Sequence, residues 1–335
     1  MAAKFLRVYP NGAKAANPKK ARRSAFEKSQ VEVRMFHVKD GEAILLVFPQ
    51  RWAWLIDGGS STSTNQNRIL GEQLAKYLKD RQLLLQALVP SHPHKDHVGA
   101  VAFLLQKKPK LASKLSYYYT GDAPWNDTSV DWLNTLNNEL SLLGSKVDRV
   151  ILSNAHREVV IADNLKAHLF AGSGEGKYTS VFVHLRYGDA SLLFTGDAYC
   201  RYELELLQHY GEEDFRADLL KVTHHGSSGG TAKKLVAAVK PGIAIASTAD
   251  DEGHFLEADT LGRLGGRPGP RAIFETLVDG DIILRTDGKP YGNGILYQVE
   301  FESPGLFASD LGATTRPLSY VDGRRSSSNK YPECT

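Results

Sequence analysis

The sequence predicts an α/β protein whose chemistry sits at strand ends, and three observations lead there. Short apolar runs alternate with helix-length amphipathic stretches along most of the chain, which is the pattern of strands feeding helices. Several of these runs stop on a carboxylate or a histidine. Trp52-Ala53-Trp54-Leu55-Ile56 ends in Asp57, Leu193-Phe194-Thr195-Gly196 in Asp197, and Leu219-Leu220-Lys221-Val222-Thr223 in His224-His225. Strands that each finish on a polar group build a catalytic rim. The third observation is His92-Pro93-His94-Lys95-Asp96-His97, where three of the eleven histidines fall within six residues. Imidazole and carboxylate together are good ligands for zinc-like ions.

Bulk properties exclude several classes. At 335 residues the chain suffices for one large domain or two small ones. With 42% hydrophobic and 24% charged residues the composition is that of an ordinary globular protein. A net charge of +3 is too small to argue by itself for a nucleic-acid partner. No apolar run reaches the ~18 residues that span a bilayer, and Met1–Arg7 lacks the apolar core of a secretory signal, so no membrane partner is expected. Cys200 and Cys334 are the only cysteines and lie far apart. That usage predicts no disulfide and a reducing, cytoplasmic location. Cys200 reads as a packed small side chain.

Residues 1–30 read as a basic N-terminal extension, with Lys14, Lys19, Lys20, Arg22, Arg23 and Lys28. A solvated, mobile segment and an arm that meets phosphates both fit such a stretch. Order is expected from Val31, where Val31, Val33 and Met35 alternate with Glu32 and Arg34. Strands follow at Ala43–Phe48 and Trp52–Asp57, then a helix through Ile69, Leu70, Leu74 and Leu78. Leu83–Val89 is a buried strand, and a helix is expected over Val98–Leu105 after the histidine cluster. Further strands read at 114–120, 150–152, 159–161, 181–185 and 191–194, with helices near 130–143, 199–210 and 232–239. Strands at 219–223, 243–247, 281–286 and 294–299 complete a domain over 31–302. Residues 303–335 turn polar and read as a loosely held tail.

Taken together, Asp57 with Gly58-Gly59, the histidine cluster, Thr195-Gly196-Asp197 and Gly253-His254 occur in an order that resembles the metallo-β-lactamase superfamily. The resemblance covers about residues 31–300 and is most similar to the hydrolase-like domain of the DNA-uptake channel ComEC and its soluble relatives. His92–Gly99, Leu193–Ala198, Leu220–Ser227 and Arg285-Thr286-Asp287-Gly288 carry it. It implies a single-domain, four-layer αββα sandwich with the metal site on one rim. Two departures stand out. The relatives' first-hairpin pattern Asp-Val-Gly-Gln-Gly-Asp is His37-Val38-Lys39-Asp40-Gly41-Glu42 here, and Gly174–Ser180 holds none of the histidine that many members carry there.

The resemblance implies two divalent ions, Zn or Mn. His92 and His94 are assigned to one, Asp96 and His97 to the other, with Asp197 bridging. His225 completes the second site, with His254 as the alternative ligand. Asp57 orients a ligand histidine. Two cations about 3.5–4 Å apart share a hydroxide that attacks phosphorus or a carbonyl. Asp96, His224 and His254 are the candidate catalytic residues, the two histidines as substrate contacts or proton donors to the leaving group. Lys95, Lys221 and Ser227 are the candidate substrate-binding residues. The expected activity is a two-metal hydrolase, foremost a phosphodiesterase or nuclease acting on nucleic acid or another phosphodiester. A small-molecule ester, lactone or phosphorylcholine-ester hydrolase and a non-catalytic binding module are the alternatives.

Overall fold

Strands that alternate apolar and polar side chains pair into two sheets, and the sheets bury their apolar faces against each other. The computed structural model describes residues 4–9, 12–19, 29–61, 63–107, 114–121, 131–173, 179–249, 255–266, 270, 272–303, 305–306 and 331–335. The first half of the chain forms β1 (Lys4–Tyr9), β2 (Gly12–Ala16), β3 (Val31–Met35), β4 (Ile44–Val47), β5 (Trp52–Ile56), α1 (Thr64–Asp80), β6 (Leu84–Val89), α2 (Lys95–Val98), α3 (Val101–Lys107), β7 (Tyr117–Gly121), α4 (Asp131–Leu142) and β8 (Asp148–Leu152). Then come β9 (Ala155–Ala162), β10 (Leu165–Ala171), β11 (Phe182–Tyr187), β12 (Ala190–Phe194), α5 (Cys200–Tyr210), β13 (Leu219–Lys221), α6 (Lys233–Val239) and β14 (Ile243–Ala246). The last are α7 (Ala258–Gly265), β15 (Ala272–Glu275), α8 (Thr276–Asp279), β16 (Asp281–Thr286), β17 (Pro290–Tyr291) and β18 (Gly294–Glu302).

One sheet runs β2-β1-β18-β16-β3-β4-β5-β6-β7-β8 with β17 on β18, and the other runs β15-β14-β13-β12-β11-β10-β9. Val33, Met35, Trp54, Val89, Leu169, Val183, Phe194, Ile245 and Leu284 fill the space between them. Helices α1, α3 and α4 cover the outer face of the first sheet through Leu70, Leu74, Val101, Leu104 and Leu136. Helices α5, α6 and α7 cover the second through Leu206, Leu235, Val239 and Leu264. The layers are helix, sheet, sheet, helix, the αββα sandwich that the resemblance implies. β5 to β8 are parallel, as are β12 to β15. Asp57, His92, Asp197 and His225 therefore all follow the C-terminal ends of parallel strands.

Four expectations are corrected. Residues 4–9 and 12–16 are not a mobile extension. They form a hairpin whose β1 pairs antiparallel with β18, Lys4 opposite Val299. Val8 is buried in the inter-sheet core and Leu6 packs against it. Of the basic residues noted there, Lys14 and Lys19 are exposed, and Lys20, Arg22, Arg23 and Lys28 lie outside the described residues. The helix expected over Val98–Leu105 begins at Lys95 and breaks between α2 and α3, because Ala100 N–H turns to Gly58 O (2.9 Å). Cys200 and Cys334 form a disulfide, their Cα atoms 5.3 Å apart and both side chains fully buried. That spacing lies within the ordinary bridging range, and the bond removes the argument from unpaired thiols for a reducing compartment. By the same bond, residues 331–335 are held to α5 rather than loose. β10 is an addition: Leu165, Ala167, Leu169 and Ala171 alternate inward. Among the described residues no helix is long and apolar enough to cross a membrane.

A buried ion pair ties β3 to β16 and β18 within the first sheet, and Arg34 Nη1 donates to the Tyr77 hydroxyl of α1 (3.3 Å). Arg34 Nη2 lies 2.5 Å from Asp281 Oδ2 and also reaches Glu302. Asp281 accepts the His37 and Leu306 N–H groups as well. Arg34→Leu leaves the Asp281 carboxylate, 0% exposed, without its cation. The expected loss in urea unfolding is about 3–5 kcal/mol, and a loss like that of an exposed pair, below about 1 kcal/mol, contradicts this account.

His184 supplies a pH test. Its Nδ1–H donates to Asp214 O (2.8 Å). Burial, helped by Arg186, pulls its pKa from 6.5 down to about 3. The folded value is depressed, so folding favours the neutral ring. Stability is fully present above the ordinary value and is lost as pH falls toward the folded one. Between pH 7 and 5 the wild type should lose about 2 kcal/mol more unfolding free energy than His184→Gln. Equal slopes for the two proteins contradict a neutral buried ring.

Candidate metal centre

The turn after β6 is held where three backbones meet. Gly58 N donates to His97 O (2.5 Å), Glu42 N to Asp96 O (2.9 Å) and Gly59 N to Glu42 O (3.1 Å). A Cβ on Gly59 would lie 2.3 Å from Lys95 O, and one on Gly41 would lie 2.2 Å from Gly59 O. Only glycine lets these strands approach so closely. The approach delivers Asp57, at the end of β5, to the histidine cluster.

Asp57 Oδ2 faces His97 Nδ1 at 2.9 Å and accepts the Ser91 hydroxyl at 2.9 Å, while its Oδ1 accepts Ser91 N–H at 2.7 Å. With Nδ1–H donated to Asp57, His97 turns its Nε2 lone pair inward. His225 is set the same way: its Nδ1–H donates to Ser247 O (3.0 Å). Both Nε2 atoms then face two carboxylates. His97 Nε2 lies 3.1 Å from Asp197 Oδ2 and 3.5 Å from Asp96 Oδ2. His225 Nε2 lies 3.3 Å from Asp197 Oδ2 and 3.4 Å from Asp96 Oδ2. A tetrahedral ion with ligands at about 2.0–2.1 Å has ligand–ligand edges of about 3.3–3.4 Å. His97 Nε2 and Asp197 Oδ1 are buried and make no hydrogen bond among the described residues. The donor set and its spacing fit a divalent cation.

His92 and His94 form a separate arm beside this cage. His92 Nε2 and His94 Nδ1 face each other at 2.9 Å, and the His92 ring lies 4.1 Å from that of His97. Asp96, His97, Asp197 and His225 form a ligand group by themselves, without the His92–His94 pair. A second group, Glu42, Asp57 and His97, shares His97. Its Glu42 is occupied instead, 2.6 Å from Lys221 Nζ.

The electrostatics favour positive charge. Burial by itself would raise the Asp197 carboxyl, but His225 and His97 beside it hold it well below the usual range. Burial opposes charge on His97, yet Asp197, Asp57 and Asp96 raise its pKa well above the ordinary value. For His225 burial is likewise outweighed, chiefly by Asp197, and its pKa rises to about 9. Burial, with His97 adjacent, leaves His92 neutral, its pKa well below the ordinary value.

The remaining predicted site residues are dispersed. Lys221 cannot touch substrate: it is 0% exposed, paired with Glu42, donating to Gly196 O (2.8 Å) and 3.6 Å from Asp197 Oδ1. Lys95 is half-buried and lines a cavity of about 210 Å³ with Asn67, Phe103 and Trp132 among the helices. Ser227 is half-buried and its carbonyl accepts from Thr260. His224 Nε2 is 3.9 Å from Asp197 Oδ2, and its side chain is 22% exposed. Burial pulls its pKa to about 4 although Asp197 opposes this, so the ring is neutral near pH 7. His254 lies outside the described residues.

Residues not singled out in the sequence hold the site together. Glu42 neutralises Lys221, and its position in the Gly41-Glu42 pair that replaces the relatives' Gly-Asp was the available signal. Glu203 accepts Thr231 N–H and Ala232 N–H, both at 2.6 Å. Arg263 binds the carbonyls of Ser228, Gly230 and Thr231. Both grip the loop in which His224 (φ 51°) and His225 (φ 53°) adopt left-handed backbone, a conformation that persists only where the surroundings impose it. No sequence pattern announces either residue.

Facing sheets, outer helices and ligands at strand ends in this chain order decide the fold. The αββα arrangement is similar to the metallo-β-lactamase fold. No family model matches it. ComE operon protein 3 of Bacillus subtilis (strain 168) is 24% identical over 237 residues, which is 65% of this chain and 28% of that protein. Recombination protein 2 of Haemophilus influenzae is 25% identical over 221 residues, 63% of this chain and 22% of that protein. The chain spans about a quarter of the length of those curated relatives. Among solved structures, the metallo-β-lactamase fold protein YhfI from Bacillus subtilis aligns with a TM-score of 0.47 at 14% identity, over 81% of this chain and 100% of that one.

Metal content tests the cage. With Zn²⁺ or Mn²⁺ supplied, elemental analysis should find bound metal in the wild type and in His224→Ala, and a loss of at least one equivalent in His225→Ala and Asp197→Ala. Full retention in His225→Ala removes it from the ligand set.

Proposed function

We propose that this protein is a metal-dependent hydrolase of phosphodiester bonds, with nucleic acid as the foremost substrate. The observation that carries the reading is the pairing of the cage Asp96, His97, Asp197 and His225 with the adjoining His92–His94 arm. Two neighbouring cation places suit in-line displacement at phosphorus, where attacking and leaving oxygens both need charge stabilisation. A divalent ion held there, Zn²⁺ or Mn²⁺, supplies Lewis acidity toward a phosphate oxygen and the attacking water. Asp197, whose charge also acts on His92, would be the carboxylate shared between the two places. Asp57 keeps His97 in the tautomer that presents Nε2. Asp96 contributes a carboxylate oxygen to the cage and would serve as the proton acceptor for an attacking water.

His224 acts as a neutral hydrogen-bond donor to a phosphoryl oxygen rather than as an acid, since burial disfavours its charged form. Lys221 serves charge balance: its ammonium offsets Glu42 and part of the Asp197 charge. The likeness to Recombination protein 2, a protein named for recombination, supports the substrate class.

The test is incubation with labelled single- and double-stranded DNA and RNA, with Mn²⁺ or Zn²⁺ present and the Asp96→Ala, His97→Ala double variant as control. Cleavage by the wild type should fall by about 10³-fold or more in the control. Hydrolysis of a simple carboxylic ester with no cut in any nucleic acid or bis(p-nitrophenyl) phosphate sinks the phosphodiester reading.

A further inference from the structure

The last residues of the chain return to the metal rim. The Cys200–Cys334 disulfide joins them to the first turn of α5. It seats Tyr331 against Tyr199, with ring centroids 6.1 Å apart in an edge contact. Tyr199 in turn lies on the His224 ring at 4.8 Å. Gly229 of the His224 loop sits between the two tyrosines: a Cβ there would meet the Tyr199 ring at 3.0 Å and the Tyr331 ring at 3.3 Å. Cys200 N–H donates to Gly229 O (2.8 Å), so the loop, the disulfide and both rings form one packed unit. The His224 backbone is held by its N–H to Gly196 O (3.1 Å). Its Nδ1 makes no hydrogen bond among the described residues and its Nε2 faces Asp197 Oδ2 only at 3.9 Å, so the Tyr199 ring is a packing contact that limits how the imidazole can turn.

We propose that Tyr331 is a positioning residue for His224, acting through Tyr199, and that the Cys200–Cys334 bond keeps it in place. An aromatic edge against a ring restricts rotation of that ring. A donor turned away from its acceptor by about 1 Å loses much of its effect in the transition state. The tail thus takes part in the site although about a hundred residues separate Tyr331 from His225 in sequence. The kinetic arm of the test rests on the hydrolase reading; the spectroscopic arm does not.

The experiment compares wild type, Tyr331→Ala, Tyr331→Phe and Cys334→Ser as full-length proteins. Steady-state hydrolysis of bis(p-nitrophenyl) phosphate, metal content and the ¹H–¹³C resonances of the His224 ring are measured for each. Tyr331→Ala and Cys334→Ser should lower kcat by roughly tenfold to a hundredfold, keep the wild-type metal content and shift the His224 resonances. Tyr331→Phe should recover most of the activity that Tyr331→Ala loses, because the ring and not the hydroxyl makes the contact. Tyr331→Ala keeps the disulfide, so it remains informative if Cys334→Ser folds poorly. Wild-type kcat with unmoved His224 resonances in Tyr331→Ala overturns the proposal, as does a Tyr331→Phe no better than Tyr331→Ala. If the wild type hydrolyses no phosphodiester, the hydrolase reading fails and the resonances alone decide: a shift in Tyr331→Ala upholds the positioning role, and no shift overturns it.

Discussion

The site depends on three carboxylates that converge on one buried imidazole. Asp57, Asp96 and Asp197 surround His97, and Asp57 and Asp197 are 1% and 4% exposed. Negative charge at that density cannot be buried without positive charge beside it. In the protein alone, His97, His225 and Lys221 provide it. A divalent ion would provide it in a smaller volume, with ligand atoms already about a tetrahedral edge apart. The rim thus suits a cation, and the need to balance this charge limits how the strands around it can be arranged.

The sandwich meets that demand by bringing the ends of two sheets together. β5 and β6 contribute Asp57 and the histidine cluster, while β12 and β13 contribute Asp197 and His225. Cross-sheet bonds keep the two halves in register at the rim. Ser247 donates to Gly41 O (2.6 Å), and Lys221 of β13 pairs with Glu42 of the β3–β4 connection. The Lys221–Glu42 pair buries two charges far from water, which is costly unless each satisfies the other. Its position beside Asp197 explains a buried lysine at the end of β13 that composition alone would place at the surface.

Much of this was legible along the chain. The histidine cluster, Asp57 and the Gly196-Asp197 end are contiguous motifs, and each lies at the end of an apolar run that reads as a strand. Local pattern also located most strands, because alternation registers which face is buried. It failed for the first hairpin, where the basic stretch that follows outweighed the short Phe5–Val8 alternation. It failed for the helix after the cluster, where a tertiary bond from Ala100 to Gly58 interrupts a periodic stretch. Lys221 was misread for a related reason: a basic residue next to a motif looks like a substrate contact until its partner, Glu42, is seen from the other sheet.

The sequence by itself determined the donor types, their order and the strand ends that carry them, because these are properties of consecutive residues. Only the tertiary structure decided that His225 faces Asp96 and Asp197, that Lys221 is buried, that His224 is neutral, and that Cys334 reaches Cys200. Those outcomes depend on distances between segments that are remote in the chain. A pKa, an ion pair or a disulfide belongs to the neighbours that folding supplies, and no local pattern encodes them.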